Sequence, residues 1–359
     1  RSCSITSAAS PSSIGTPIGL FILRARRPNA ERPYRAVGYP VLPALYKQKT
    51  FELRPLCNVI KVNTDSTGKQ ATGVTYTDAR GREVEQPAGI VVLATYCFNN
   101  TRLLLLSGIG KPYEPQTGRG VVGRNYSYQV GGRVHLFFDD KEFNPFIGGG
   151  MVNTSIDDLN GDVIDRSNLG FVGGAYINVP NSGASPIKGK PLPHDTPRWG
   201  GEWKKAVAQN YRRTFGIHIH GSCMSYKQHY LDLDPTYKDA YGLPLLRMTF
   251  DWHENEQKMW RFVHARSLEI MERMRPSRIV ASTPELGSYR IDRYQSTHPT
   301  GGCIMGPDPG GSVTNSYGQV WDTPNVFVTG AALFPQNPGA NPTGTVAALA
   351  YRTADAMRD

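Results

Sequence analysis

Two short apolar runs, Ile90-Val-Val-Leu-Ala94 and Val326-Phe-Val, constrain this chain more than any other feature. A strand with one wet face alternates apolar and polar residues, whereas an unbroken run needs cover on both faces, as in a sheet layered by helices. Helical segments follow both runs: Thr101 to Ser107, ended by Gly108, and Thr345 to Met357. The chain therefore reads as α/β at both ends of its regular part. The 38 Gly and 27 Pro among 359 residues add many turns and argue against a helical bundle.

The segments between these runs have a different texture. Phe51 to Val62 reads as a strand, and Ala71 to Asp78 and Arg82 to Pro87 alternate around the turn Asp78-Ala-Arg-Gly81. From about Val130 to Tyr289 come short strand-like pieces: Gly132 to Phe138, Phe171 to Val179, Thr214 to Tyr226 and Leu245 to Asp251. An amphipathic helix over Glu254 to Met274 keeps apolar residues at Met259, Phe262, Val263, Leu268, Ile270 and Met271. This middle region is expected to form an antiparallel sheet with a helix packed on it. Residues 1–46, rich in Ser, Pro, Ala and Arg, are expected to be an irregular tail.

The net charge of +10 does not indicate a nucleic-acid partner, because its distribution is uneven. Eight Arg or Lys and one acid fall in residues 1–50, leaving about +3 over the other 309 residues. Five widely spaced cysteines, without a C-x-x-C pair, predict neither a disulfide framework nor a metal site. The apolar stretch Ile14 to Leu23 contains Pro17 and falls short of the roughly 20 residues of a membrane span. No signal peptide is visible, although a chain opening on Arg1 could have lost one.

Chemistry concentrates in the last quarter: Thr297-His-Pro-Thr-Gly-Gly-Cys-Ile-Met-Gly306, then Val326 to Pro335, then Gly339-Ala-Asn-Pro-Thr-Gly-Thr345. A histidine ahead of glycines can cap a turn, and Asn341 before Pro342 can be a helix N-cap. Together, however, the small residues allow a large ligand close to the backbone, and a helix beginning near Asn341 directs N–H groups at an electron-rich ring or phosphate. His218 and His220 share one strand face and could contact substrate or serve the structure. Asp232, Asp234 and Asp239 lack the spacing of a calcium loop and read as turn residues. A metal shared by His298 and Cys303 is disfavoured.

These residues resemble the glucose-methanol-choline (GMC) oxidoreductases, whose C-terminal signature has a His before a glycine-rich turn, a strand ending in Gly-Ala, and Asn-Pro-x-x-Thr. Val91 to Gly110, ending Leu-Ser-Gly-Ile-Gly, resembles a second signature of that family but departs from it at Tyr96 to Asn100, where many members have a Gly and a Ser-Pro pair. Gly120-Val-Val-Gly-Arg-Asn125 and Leu231-Asp-Leu-Asp-Pro235 add to the likeness. Tyr126-Ser-Tyr-Gln and Phe334-Pro-Gln-Asn-Pro-Gly resemble the bacterial sugar and sugar-acid dehydrogenases, including gluconate 2-dehydrogenase-like large subunits.

The resemblance implies an FAD-binding Rossmann-like domain from residues 47–129 and 295–359, and a substrate-binding domain from 130–294. It implies His298 as general base and Asn341 as the group orienting the substrate oxygen, with Gly330, Ala331, Asn341, Pro342 and Thr343 at the flavin end. Val59 and Ala94 match backbone positions near the adenine, with strand packing as their plain alternative. The implied reaction is oxidation of a sugar, sugar-acid or polyol CH–OH group. The implied partners are a small subunit and a cytochrome c on the periplasmic side of the cytoplasmic membrane. The Gly-x-Gly-x-x-Gly loop that grips the FAD pyrophosphate does not occur in residues 1–50, so the Rossmann-like domain reads as incomplete and weak FAD binding is expected. The electrons are expected to pass to an acceptor other than oxygen, with an oxygen-using oxidase or an inactive fragment lacking its own FAD as the alternatives; no residue decides between dehydrogenase and oxidase.

Overall fold

The computed structural model describes residues 5–10, 18–23, 41–144, 152–165, 167–181, 192–290 and 298–358. In chain order the elements are β1 (Ile5–Ser10), β2 (Ile18–Leu23), α1 (Leu42–Leu45), β3 (Glu52–Leu53), β4 (Asn58–Thr64), β5 (Ala71–Thr77), β6 (Glu83–Pro87), β7 (Ile90–Ala94) and α2 (Cys97–Ser107). After these come β8 (Val130–Phe137), β9 (Val152–Ile156), β10 (Ala175–Asn181), α3 (Gly200–Asn210), β11 (Thr214–Gly221), β12 (Tyr230–Lys238) and β13 (Pro244–Thr249). The chain ends with α4 (Glu254–Glu272), β14 (Arg278–Ala281), β15 (Val326–Val328) and α5 (Thr343–Arg358).

The two apolar runs pair with each other. β7 and β15 lie parallel, Val91 opposite Val326 and Leu93 opposite Val328, all four fully buried. Each is followed by a helix, α2 directly and α5 after the turn Ala331–Leu333. α2 ends where Gly108 takes the left-handed conformation at φ +65°. A core of Val62, Val74, Val91, Leu104, Val122, Cys303, Val326 and Leu333 joins this pair to the meander β4-β5-β6, so residues from both ends of the sequence share one interior.

β7 also pairs antiparallel with β1, which pairs with β2, giving the order β15-β7-β1-β2-β3. This differs from the irregular tail expected over residues 1–46. The free hydrogen-bonding edge of a buried strand needs a partner, and an extended segment can supply one whatever its composition. The rest of residues 1–40 lies outside the described residues.

The middle of the chain forms a second antiparallel sheet, β14-β8-β11-β10-β9, with α4 on one face. Val134, Leu136, Ile177, Ile217 and Ile219 point into a separate core with Met259, Trp260, Val263 and Met271 of α4. Gly132 lets the helix settle there, because a Cβ at that position would run into the Trp260 ring. Since neighbours along a strand face opposite ways, His218 and His220 emerge on the other face.

Candidate active site

Strand register assembles the site. β11 pairs with β10 so that His220 stands opposite Tyr176, and the two rings stack at 4.9 Å with 10° between their planes. β11 also pairs with β8, setting Gly221 opposite Val130 and leaving Gln129 just beyond the strand end. Ser127 exchanges backbone hydrogen bonds of 2.9 Å with Thr300, and that antiparallel bridge sets Gln129 across from His298. Tyr176, His220, Gln129 and His298 thus form a row.

Within the row, His298 Nδ1 lies 2.6 Å from Gln129 Oε1 and His220 Nδ1 lies 2.9 Å from the same oxygen. The two imidazole centroids are 6.1 Å apart. Gln129 is buried, and its amide nitrogen donates to the carbonyl oxygen of Gly339. Asn337, also buried, donates to the His298 carbonyl at 2.8 Å and accepts from Gly339 N–H at 3.1 Å. His298 is therefore anchored through its ring and its backbone, to the segment that leads into Asn341.

Burial holds the His298 imidazole below the ordinary histidine value, so its neutral form is favoured. His220 is pushed down further, to about 4, first by burial and then by His218, His298 and Arg133. A neutral imidazole beside a substrate hydroxyl is a competent proton acceptor.

Asn341 is exposed at the start of α5, and its backbone hydrogen-bonds the Tyr176 hydroxyl. The first intrahelical bond of α5 runs from Val346 N–H to Pro342 O at 2.9 Å, so Thr343, Gly344 and Thr345 present N–H groups outside the helical ladder. Thr343, Gly344 and Thr345 are exposed, and Pro342 is half-buried beside them. A cleft of about 610 Å³ opens between the second sheet and this segment, lined by Asp157, Tyr176, Ser222, Gln336, Pro338 and Ala340 among others.

Gly330 and Ala331 sit at the carboxyl ends of the parallel pair, beside Ala94. The two strand ends are tied by Asn100, which donates to Thr329 O at 2.8 Å and accepts from Thr95 N–H at 2.8 Å. Gly330 adopts φ +93° with nothing within 4 Å of where a Cβ would lie. Open space beside a glycine at the carboxyl end of parallel strands leaves room for a flat ring. Val59 lies apart from this group, on β4, paired with Tyr76 and packed against the first core.

Other sequence readings find definite places. Asp234 accepts from Thr236 and Tyr237 N–H, and Asp239 from Tyr241 and Leu243 N–H, as turn residues do. Asp232 instead pairs with Arg247 across β12 and β13. Cys303 is buried with its sulfur 3.4 Å from Thr101 Oγ1. Tyr96, which opens the stretch to Asn100 where the sequence departs from the family signature, holds φ +80°, a backbone region that glycine favours. Gln129, Tyr176, Asn337 and Gly339 were not picked out as site residues by the sequence.

Sequence models of the GMC oxidoreductase family match residues 35–130 for its N-terminal part and 225–350 for its C-terminal part, the first beginning ahead of the boundary placed at residue 47. The chain is 48% identical over 89% of its length to the gluconate 2-dehydrogenase flavoprotein of Pantoea cypripedii, covering 52% of that protein. It is 27% identical over 84% of its length to the fructose dehydrogenase large subunit of Gluconobacter japonicus, covering 53% of it. The chain thus spans about half the length of the curated relatives it matches. Pyridoxine 4-oxidase from Mesorbium loti shares the fold, with a TM-score of 0.56 at 15% identity over 87% of this chain and 59% of that one. The chain belongs to the GMC oxidoreductase family, in the branch that resembles gluconate 2-dehydrogenase flavoproteins.

Proposed function

We propose that this chain carries the proton-handling site of an FAD-dependent enzyme that oxidises a CH–OH group of a sugar, sugar acid or polyol and passes the electrons to an acceptor other than oxygen. The observation that carries this reading is the half-buried His298 imidazole, tied at Nδ1 to Gln129 and linked through Asn337 and Gly339 to the start of α5. When bound, FAD supplies the hydride acceptor.

In this reading His298 takes the hydroxyl proton as the carbinol carbon gives up its hydride. The Asn341 side-chain amide orients the substrate oxygen without titrating. Gly330, Ala331, Pro342 and Thr343 face the flavin end, where Gly330 leaves open space. Ala94 and, less directly, Val59 belong to the adenine side. Residues 47–129 with 295–359 form the cofactor-side domain and 130–294 the substrate domain, a division supported by the two hydrophobic cores.

A small subunit and a cytochrome c are the proposed partners, and the periplasmic face of the cytoplasmic membrane the proposed location. The name of the Gluconobacter relative, a large subunit, supports an assembly. Among the described residues no helix is long and apolar enough to cross a membrane.

The test is stopped-flow reduction of the flavin-loaded protein by gluconate, fructose and a simple polyol, followed by reoxidation with oxygen or a quinone. Fast reduction by one of them and reoxidation by the quinone alone is expected. Reoxidation by oxygen at a comparable rate would make it an oxidase, and bleaching by none of the three would overturn the reading.

A further inference from the structure

The Gln129 carboxamide is the shared partner of both imidazoles in the site, and its orientation is fixed independently of them. Its nitrogen donates to Gly339 O, an atom that can only accept, so its oxygen must be the end that faces the rings. An amide oxygen cannot donate. The nitrogens that meet it, His298 Nδ1 at 2.6 Å and His220 Nδ1 at 2.9 Å, must therefore each carry the hydrogen.

We infer that Gln129 is a positioning residue that sets both His298 and His220 in the Nδ1–H tautomer, leaving Nε2 of each neutral ring as a bare lone pair. The inference rests on the proposed role of His298 only for its consequence, that Nε2 is the atom that receives the substrate proton. Four hydrogen bonds close a ring that enforces it: His298 Nδ1–H to Gln129 Oε1, Gln129 Nε2–H to Gly339 O, Gly339 N–H to Asn337 Oδ1, and Asn337 Nδ2–H to His298 O. Rotating the Gln129 amide would set its N–H₂ against the rings and the oxygen against the Gly339 carbonyl, breaking the ring at two places. Because Gln129 and Asn337 are both buried, water is poorly placed to replace either bond.

Histidine ¹⁵N NMR tests this on the protein with and without flavin, since two-bond nitrogen–proton couplings distinguish the two tautomers. Wild type should show His298 and His220 as Nδ1–H, and Gln129→Met should shift His298 toward Nε2–H. In Gln129→Glu, a near-isosteric change, the carboxylate should raise the His298 titration midpoint, measured against the other groups around the pair: His218 on β11, Arg133 on β8 and Tyr176 on β10. Flavin reduction in Gln129→Met should slow by about ten- to a hundredfold, less than removal of the base itself, with little change in substrate KM. An Nε2–H tautomer in wild type, or an unchanged tautomer in Gln129→Met, would overturn the inference. If Gln129→Met does not fold, the Gln129→Glu midpoint decides, and an unmoved midpoint overturns it. Nδ1–H tautomers in a protein whose flavin no alcohol reduces would uphold this assignment while removing the functional reading.

Discussion

Among the described residues, the pairs His220–His298 and His229–His253 differ in what lies between the rings. His220 and His298 reach one oxygen of Gln129, whereas His229 and His253 meet directly, Nε2 to Nε2 at 3.1 Å. In a direct contact one ring donates and the other accepts, so the pair consumes both Nε2 atoms. A bridging amide leaves both free. The surroundings differ in the same sense: Tyr226 lies 3.9 Å over His253, Phe250 4.4 Å from His229, and the fully buried Glu256 accepts from Tyr226 Oη–H at 2.9 Å and Met224 N–H at 3.1 Å. The same residue types build a packed polar knot in one place and, in the other, a pair bridged by an amide whose rings do not use up each other's Nε2 atoms.

The largest effect should come from removing one member of each pair. His298→Ala in the flavin-loaded protein is expected to slow flavin reduction by about a hundred- to ten-thousandfold while flavin content, read from visible absorbance, stays normal. His253→Ala should leave that rate close to wild type. Loss of flavin in His298→Ala at an unchanged rate per flavin would reverse the contrast.

Asn341→Ala should cost about a hundredfold in the same reduction step, the usual scale for one donor to a developing oxyanion, and should preserve the pH dependence. A variant with wild-type kinetics would return Asn341 to a helix-start role. The knot should show its effect in stability instead. His253→Ala leaves His229 buried without its Nε2 partner and is expected to cost about 1–3 kcal/mol in urea unfolding. A stability equal to wild type would mean that the contact contributes nothing.

The smallest effect is on pH-dependent stability. His220 and His229 both titrate at about 4 in the folded protein, chiefly because they are buried, against 6.5 for an ordinary histidine. The unfolded chain then takes up protons first, so their contribution is full above about pH 6.5, declines as pH falls toward 4, and levels off below. Thermal melts across this window should show the decline, shallower in His229→Gln. An identical slope in the variant would show that His229 is not among its causes.

How legible all this was in sequence depended on whether a feature is local. The runs at Ile90 and Val326 and the helix over Glu254 follow from periodicity, and Gly108 stops α2 by its own conformational freedom. Phe51 to Val62 looked like one strand but breaks into β3 and β4 around Leu56, which sits at φ +60° for reasons of the fold. α3 buries none of its residues and so leaves no apolar stripe to read in the sequence. β12 is hidden in the sequence because its aspartates and Pro235 suggest only turns. His298 and Asn341 were found through a motif, and His220 through alternation. Nothing local gives Gln129 a role, since its partner lies 169 positions away and the pairing of Ser127 with Thr300 brings them together.

The central claim is that His298 is the group that accepts the substrate proton, and the most direct test is the rate of flavin reduction across the acid range in wild type and His298→Ala. The account predicts that the wild-type rate falls as pH drops through a single titration below 6.5, where burial sets the His298 imidazole, and that the slow residual rate of the variant lacks this fall. The same acid fall persisting in His298→Ala would contradict it.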